Sequence, residues 1–569
     1  MKLNNKAIFL LLTIVFTVPA VFSLFYHPFF TFHDETQIVN LYEIFKSLDL
    51  GQFPPRWGLD FHFNYGSPFP QFYYQLPYYL GYLIHRFLDY SVVTTFKALL
   101  ISGFFIGAIG MYFLALEVAT PLWSLVAATV YTYTPYRAVA SFVRGSLGES
   151  LALALFPWVF LASYRLYKKP NTRRAVVAGL SWSSLVLTHQ LATIFFIPMI
   201  GLLGVLVIIK NRAIVRYFII SVIISFLTSA FYLVPLIFES KFIKPSSPFN
   251  FYDHFPFLKQ LIYSPWGYRA SIWGIDDGLS FQIGIIPLFL LGLTGALSLF
   301  LLKSKESTLN KLTFGYLLLA IPGTIFLMNI RSSFFWNLFP LTQIVQFPWR
   351  LLMLTTFLIP AALIFATKYI PKKISLQLAI FVLFLAPIST IRFFQPGEIY
   401  DRNDDYYLHR FLPNQASEDQ GGISQAYLEH AEDYVSLPIN AVRPNTIPSS
   451  KLTATNPNIK IENTRPDPFN LQYQLDLPEE SALIFHTFAY PNWNVFLDGA
   501  KLSQEPNDKG IISFNVPAGQ HQLSITYQKT PIEKYSDTIS LIAIIVSLVF
   551  LLITHHYHPN QADKSKRRR

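Results

Sequence analysis

The chain has 569 residues, of which 52% are hydrophobic and 14% charged, against a charged share of about 25% in soluble domains. That balance excludes a freely soluble protein, and 54 Phe, 32 Tyr and 9 Trp suit a bilayer and its two interfaces. The net charge of +11 reads as topogenic loop charge rather than a nucleic-acid face, and the lack of cysteine removes disulfides, thiolate metal sites and a cysteine nucleophile.

Ala7 to Phe25 is an apolar run long enough to span a membrane, preceded by Lys2 and Lys6. Ala20 to Ser23 offers small residues of the kind a signal-peptide cleavage site uses. The run is long and lacks an A-x-A pattern, so we read it as an uncleaved anchor. Either reading puts the next segment outside.

Further apolar runs of about 20 residues, the length a hydrocarbon core demands, fall near 95–116, 120–140, 150–167, 174–189, 190–209, 214–237, 282–302, 312–329, 350–367, 374–391 and 537–555. Basic clusters orient them. Lys168, Lys169, Arg173 and Arg174 form one, and Lys210, Arg212 and Arg216 the next. Lys303, Lys305 and Lys311 follow, then Lys368, Lys372 and Lys373, and the tail ends in Lys564, Lys566 and Arg567 to Arg569. With twelve spans and a cytoplasmic N-terminus, every cluster falls inside. The predicted fold is therefore a polytopic α-helical membrane protein of about 12 transmembrane helices in the cell membrane. Both termini are cytoplasmic and the working face is extracytoplasmic.

The stretch Gln71 to Leu88 is apolar enough to tempt a further span, but counting it would throw the later clusters outside. It carries Pro77 and many tyrosines, and reads as an interfacial or re-entrant helix. The domain plan is a multi-span region over 1–392 with outer loops 26–93 and 239–281, an extracytoplasmic region over 393–535, and a last span with a basic tail over 536–569. From about 471 the pattern alternates in LQYQLDL, ALIFHTF, WNVFLDG, IISFNV and HQLSITYQ, broken by Asp-Gly and Pro-Ala-Gly turns. A small antiparallel β-sandwich before the last transmembrane helix is expected.

Candidate chemistry collects on the outer side. His33, Asp34 and Glu35 follow the first span, where partial desolvation can raise a carboxylate toward a general base's range. The same residues also suit a helix start, with Asp34 as cap. Arg144 and Glu149 share the short turn SFVRGSLGES, either as an internal ion pair or with the arginine free for an anion. His189 ends LTHQ as a packing residue or a ligand. Arg350 opens a span in QFPWRLL, snorkelling or lining a site, and Arg137 is placed more weakly. Trp266, Asp276 and Asp277 lie in YSPWGYRASIWGIDDG, a sugar platform or an Asp-Asp-Gly turn in an aromatic belt, and Asp276 is the rival acid to Asp34. No phosphate-cradling glycine loop and no H-E-x-x-H pattern occurs, which argues against a cytosolic nucleotide-sugar site.

The Asp34–Glu35 pair after the first span resembles the first-loop acidic pair of GT-C glycosyltransferases such as protein O-mannosyltransferases and the aminoarabinose transferases. Gly66-Ser67-Pro68 with Tyr73 to Tyr79, RGSLGES, LTHQLAT, YSPWG with DDGLSFQIG, and QFPWRLL together resemble the membrane proteins labelled "6-pyruvoyl-tetrahydropterin synthase-related". YPNWNVFLDG and VPAGQHQLSITY resemble the extracellular domain of YfhO-like proteins. Nothing in the chain suggests pterin chemistry.

The resemblance implies a GT-C fold and transfer of a hexosyl or pentosyl group from a polyprenyl-phosphate donor to a saccharide or protein acceptor. Asp34 would be the catalytic base with Glu35 beside it. Arg144, Arg350 and His189 would bind the donor phosphate. His33, Tyr73, Glu149, Trp266, Asp276 and Asp277 would contact substrate. A divalent cation can serve such sites, though no ligand spacing marks one here. Membrane lipid is the expected partner and nucleic acid is not. Two other classes fit parts of the pattern: a flippase for lipid-linked saccharides, which would want mid-span charges and symmetric halves, and a non-catalytic envelope scaffold working through its sandwich.

Overall fold

A computed structural model describes residues 5–25, 29–244, 250–338, 342–412, 436–444, 447–456 and 459–557. Runs of apolar side chains satisfy their backbone polar groups within one helix, the solution lipid requires. Among the described residues nine helices are long and apolar enough to cross a membrane, from Asn5–Phe25 to Pro531–Thr554, and Ile285–Leu301 is a shorter apolar helix. Two other expected spans are shorter still. The segment near 120–140 is helical over Pro121–Thr132, breaks at Pro135, and resumes as a π-turn over Val139–Val143. Almost all of it is buried among neighbouring helices, so it need not match the bilayer's thickness. The segment near 174–189 is a 15-residue helix, Thr172–Val186, that stops where His189 caps the next helix.

Gln71–Leu88 contains the helix Leu76–Leu88, whose 13 residues extend about 20 Å, short of a roughly 30 Å core. It buries Pro77, Tyr78 and Gly81 and exposes Leu80, Leu83, Phe87 and Leu88. That is the division of a helix with one face on protein and one on lipid.

Several helices share a polarity. Leu147–Lys168, Gln190–Lys210 and Pro348–Tyr369 each begin next to Arg144, His189 or Arg350. Each ends at a basic cluster, headed by Lys168, Lys210 and Lys368. Lys368 reaches Glu306 at 2.8 Å, joining two of these clusters at the end opposite the arginines. The terminal cluster at 564–569 lies outside the described residues.

Among the described residues nine strands lie between Leu452 and Tyr527, just ahead of the last helix. They are β3 (Leu452–Ala454), β4 (Lys460–Asp467), β5 (Asn470–Leu477), β6 (Ser481–Phe488), β7 (Trp493–Leu497), β8 (Ala500–Lys501), β9 (Glu505–Pro506), β10 (Ile511–Val516) and β11 (Gly519–Tyr527). They form two antiparallel sheets, β3-β6-β10-β9 and β4-β5-β11-β7-β8. Leu471, Tyr473, Leu475 and Leu477 of β5 point inward at every second position and meet Leu483 and Phe485 of β6, so the sheets close on one core. The strands open at Leu452, ahead of the alternation read from about 471, because β3 has only three residues and β4 is an edge strand with no buried face. Asp498 and Gly499, with φ of 50° and 83°, make the tight β7–β8 turn that an Asp-Gly pair suits.

The first loop completes this core. Trp57 is fully buried, with its ring 5.9 Å from Trp493 and 5.6 Å from Tyr490. Phe488 donates its backbone N–H to Tyr65 O at 3.1 Å. Arg56 pairs with Asp537 at 2.5 Å and approaches Glu533 at 3.8 Å, tying the loop to the last helix. Two short strands, β1 (Phe29–Phe30) and β2 (Ile399–Tyr400), pair across the chain.

Lys451 Nζ donates to Asn64 O at 2.6 Å where the sandwich meets that loop. Burial pushes its ammonium down to about 7, with nearby Asp60 opposing and Lys46 adding to the fall. The unfolded chain then binds the extra proton between pH 7 and 10.5. Stability should therefore fall as pH drops through that window, by at most about 1.4 kcal/mol per unit. Lys451→Met should flatten the profile, read from thermal unfolding in detergent at stepped pH.

Candidate functional site

Residues 31–34 run along the turn before Leu147–Lys168 and themselves turn at His33 and Asp34. His33 N–H donates to Val143 O at 3.1 Å and Asp34 N–H to Arg144 O at 2.9 Å, which sets Asp34 beside Arg144. The helix Thr36–Asp49 follows with no side-chain cap, so the Asp34 carboxylate is not used on the helix end. It stands 3.7 Å from Arg144 Nη2 and is about a quarter exposed, 23%.

RGSLGES builds the opposite wall, and each residue type has a reason. Gly145 has φ of +62°, and a Cβ there would sit 2.0 Å from the Phe32 ring. Gly148 lets the Tyr74 ring come within 2.5 Å of where its Cβ would stand. Glu149, fully buried, accepts from Arg144 Nη1 at 2.5 Å and from the Tyr136 hydroxyl. Burial works against the Arg144 charge, but Glu149 and then Asp34 outweigh it and hold the guanidinium charged. The Trp349 ring covers it at 5.2 Å. Gly145→Ala should cost about 1–3 kcal/mol of stability through its strained backbone and displace the Phe32–Asp34 segment. Thermal unfolding and the activity assay below would read both.

These groups face one cavity of about 360 Å³ lined by His33, Asp34, Tyr73, Arg144, His189 and Arg350 with others. Arg350 belongs to the turn Pro348–Leu351 that opens a span. It lies over the Phe347 ring at 5.0 Å, its Nε is buried with no hydrogen-bond partner, and it makes no ion pair among the described residues. His189 accepts from Ala192 N–H through Nδ1 at 3.2 Å, capping its helix while lining the cavity. Tyr73 accepts from Gln37 Nε2 at 3.2 Å, and Tyr74 donates to Gln37 Oε1 at 2.7 Å.

Other expected residues stand elsewhere. Glu35 does not line this cavity. It turns to Arg402 at 2.8 Å and Arg410 at 3.8 Å in a neighbouring pocket. Glu149 sits behind Arg144 rather than on the cavity surface. Trp266 stacks on Phe393 at 4.2 Å, and Asp276 is exposed away from the site. Asp277 accepts from Ser271 Oγ and from the N–H groups of Ile272 and Leu279, the bonding of a turn residue. Its loop reaches the cavity instead through Ala270, Ser271 and Leu279. Gln37, Ser146, Gln346 and Trp349 also line it and had not been singled out. Gln37 lies three residues after Asp34, a spacing that shares one face of a helical turn.

Among the described residues no three His, Asp or Glu side chains gather as a metal site would need.

The architecture and the family comparison agree on the class, a polytopic membrane protein. Residues 71–254 match the family described as "6-pyruvoyl-tetrahydropterin synthase related domain; membrane protein", so the resemblance drawn from the sequence is met over that stretch. Among solved structures the chain is similar to arabinofuranosyltransferase AftD from mycobacteria, at 16% identity and a TM-score of 0.44 over 70% of this chain and 27% of that one. A mutant of the same protein gives 17% identity, a TM-score of 0.45, and coverage of 70% and 29%. The chain thus spans well under a third of the length of AftD. No curated protein matches the sequence.

Proposed function

We propose that the chain is a GT-C-type glycosyltransferase that moves a sugar from a polyprenyl-phosphate donor to an extracytoplasmic acceptor. The observation that carries this reading is the meeting of Asp34, Arg144 and Arg350 on one cavity where several apolar helices begin. A lipid-borne phosphate travels at the headgroup level, which is where helix ends lie. The basic clusters at the far ends of the same helices support an outward-facing cavity by the positive-inside rule.

The acceptor hydroxyl oxygen attacks the anomeric carbon and gives its proton to Asp34. The bond from that carbon to the donor phosphate oxygen breaks, and the electron pair leaves with the phosphate. Arg350, which has no carboxylate partner among the described residues, and Arg144, held charged by Glu149, stabilise that growing charge as fixed cations do in a dry site. His189 and Tyr73 complete the phosphate and sugar contacts. A single displacement with one base inverts the anomeric centre. Lipid reaches the cavity along the helix Leu76–Leu88, and the sandwich stands over the same end as an acceptor platform.

The test supplies membranes carrying the chain with radiolabelled polyprenyl-phosphate hexoses and pentoses and a cell-envelope acceptor extract. Label should reach the acceptor from a lipid-linked donor and from none of the matching nucleotide sugars. Transfer from a nucleotide sugar would overturn the reading. So would lipid-linked label that crosses the bilayer without being transferred.

A further inference from the structure

The turn carrying Asp34 divides two cavities. His33 and Thr36 line both, Asp34 lines only the larger, and Glu35 only the smaller. The smaller holds about 290 Å³ and is closed by Thr31, Phe32, Arg402, Arg410 and Phe411.

Its charge does not balance among the described residues. Glu35, the one carboxylate among its lining residues, faces both Arg402 at 2.8 Å and Arg410 at 3.8 Å. Arg402 is fixed between the rings of Tyr400 and Tyr406, at 4.4 and 4.3 Å. Arg410 donates from Nη1 to the Tyr406 hydroxyl at 2.8 Å, while its Nε meets Glu35 Oε2 only at the ion-pair distance of 3.8 Å and makes no hydrogen bond among the described residues. A buried donor without an acceptor is uncommon in a finished protein, and it marks a place where an acceptor belongs. A guanidinium fork fits the two oxygens of a carboxylate or a phosphate. A neutral sugar has no use for a second cation.

We propose that the smaller cavity is an acceptor subsite for an anionic saccharide, whose carboxylate or phosphate substituent binds Arg410 and Arg402. This rests on reading the larger cavity as the donor site. Glu35 becomes a positioning residue that holds the two arginines in place. Neighbouring Cα atoms lie about 3.8 Å apart, so a sugar anchored on the arginines rests against the wall on whose other side Asp34 stands. His33 and Thr36 line both cavities, so the next sugar of the chain extends past them to present its hydroxyl to Asp34 in the larger cavity.

The experiment uses the full-length chain in lipid nanodiscs and saturation-transfer NMR with three probes: methyl glucuronide, glucose 6-phosphate and methyl glucoside. At least one anionic probe should bind about tenfold more tightly than the neutral glucoside, the size of a charge-assisted hydrogen bond. Which of the two does so identifies the anion. Arg410→Gln should erase the preference and Arg410→Lys retain part of it. Labelling of the wild-type protein with p-hydroxyphenylglyoxal supplies a readout that needs no variant. Arg402 and Arg410 should be protected by the anionic sugar and not by the glucoside. Equal binding of all three probes, an unchanged preference in Arg410→Gln, or no protection would overturn the proposal. Binding needs no turnover, so Asp34→Asn should keep the preference. Transfer without the preference defeats only this subsite, and the preference without transfer defeats only the donor-site reading.

Discussion

Asp34→Asn is expected to lower sugar transfer by about 10²–10⁴-fold, the share a positioned general base contributes, while the protein inserts and melts as before. The substitution keeps the side chain's shape but removes its charge and with it its capacity to take a proton. Stability should move by less than about 1 kcal/mol, because the Asp34–Arg144 pair is 3.7 Å apart and partly solvated. Glu35→Gln is the matched control. It alters the neighbouring pocket and leaves the proposed base in place, so transfer should survive it to a much greater extent. Full transfer in Asp34→Asn beside a collapse in Glu35→Gln would move the base to Glu35. Radiolabel transfer in membranes, with thermal unfolding of the same preparations, reads both outcomes.

The second large effect falls on stability. Glu149 is fully buried and is the nearest carboxylate to Arg144. Glu149→Gln leaves a buried guanidinium with only the more distant Asp34. Removing one partner of a buried pair costs about 3–5 kcal/mol, enough to cut the folded yield in detergent. Replacing both partners, as Arg144→Gln with Glu149→Gln, should recover much of that loss because no charge remains stranded. The double variant should still transfer poorly, since a phosphate-binding cation is gone. A double variant no more stable than Glu149→Gln alone would show that the pair is not the source of the effect.

How much of this was legible before the structure depended on distance along the chain. Arg144 and Glu149 are five residues apart, close enough for the sequence to offer their pairing as one of two readings. Asp34, Arg144 and Arg350 are separated by hundreds of residues, so topology could assign them only to the same face. Their meeting on one cavity depends on helix packing that no local pattern encodes. Asp34 and Glu35 misled in the opposite way. Adjacent in sequence, they read as one acidic site, yet their carboxylates enter different pockets. Asp276 and Asp277 were ambiguous for a local reason, since Asp-Asp-Gly serves a turn as readily as a ligand, and Asp277 is consumed by three bonds to its own loop. Hydropathy alone reads 120–140 as one continuous helix, whereas the chain breaks ahead of Pro135 and resumes in shorter turns. Edge strand β4 escaped notice because it has no buried face to alternate with.

Trp57 has a consequence for how the protein is made. The tryptophan leaves the ribosome in the first loop, but the residues that bury it, Tyr490, Trp493 and Tyr527, are synthesised more than four hundred positions later. Arg56 likewise waits for Asp537. Chains grow at about 5–20 residues per second, so the loop that follows Asp34 spends tens of seconds without its partner surface. The first loop is therefore packed last, and a chain truncated before the sandwich would carry every proposed catalytic residue yet lack the surface that closes that loop.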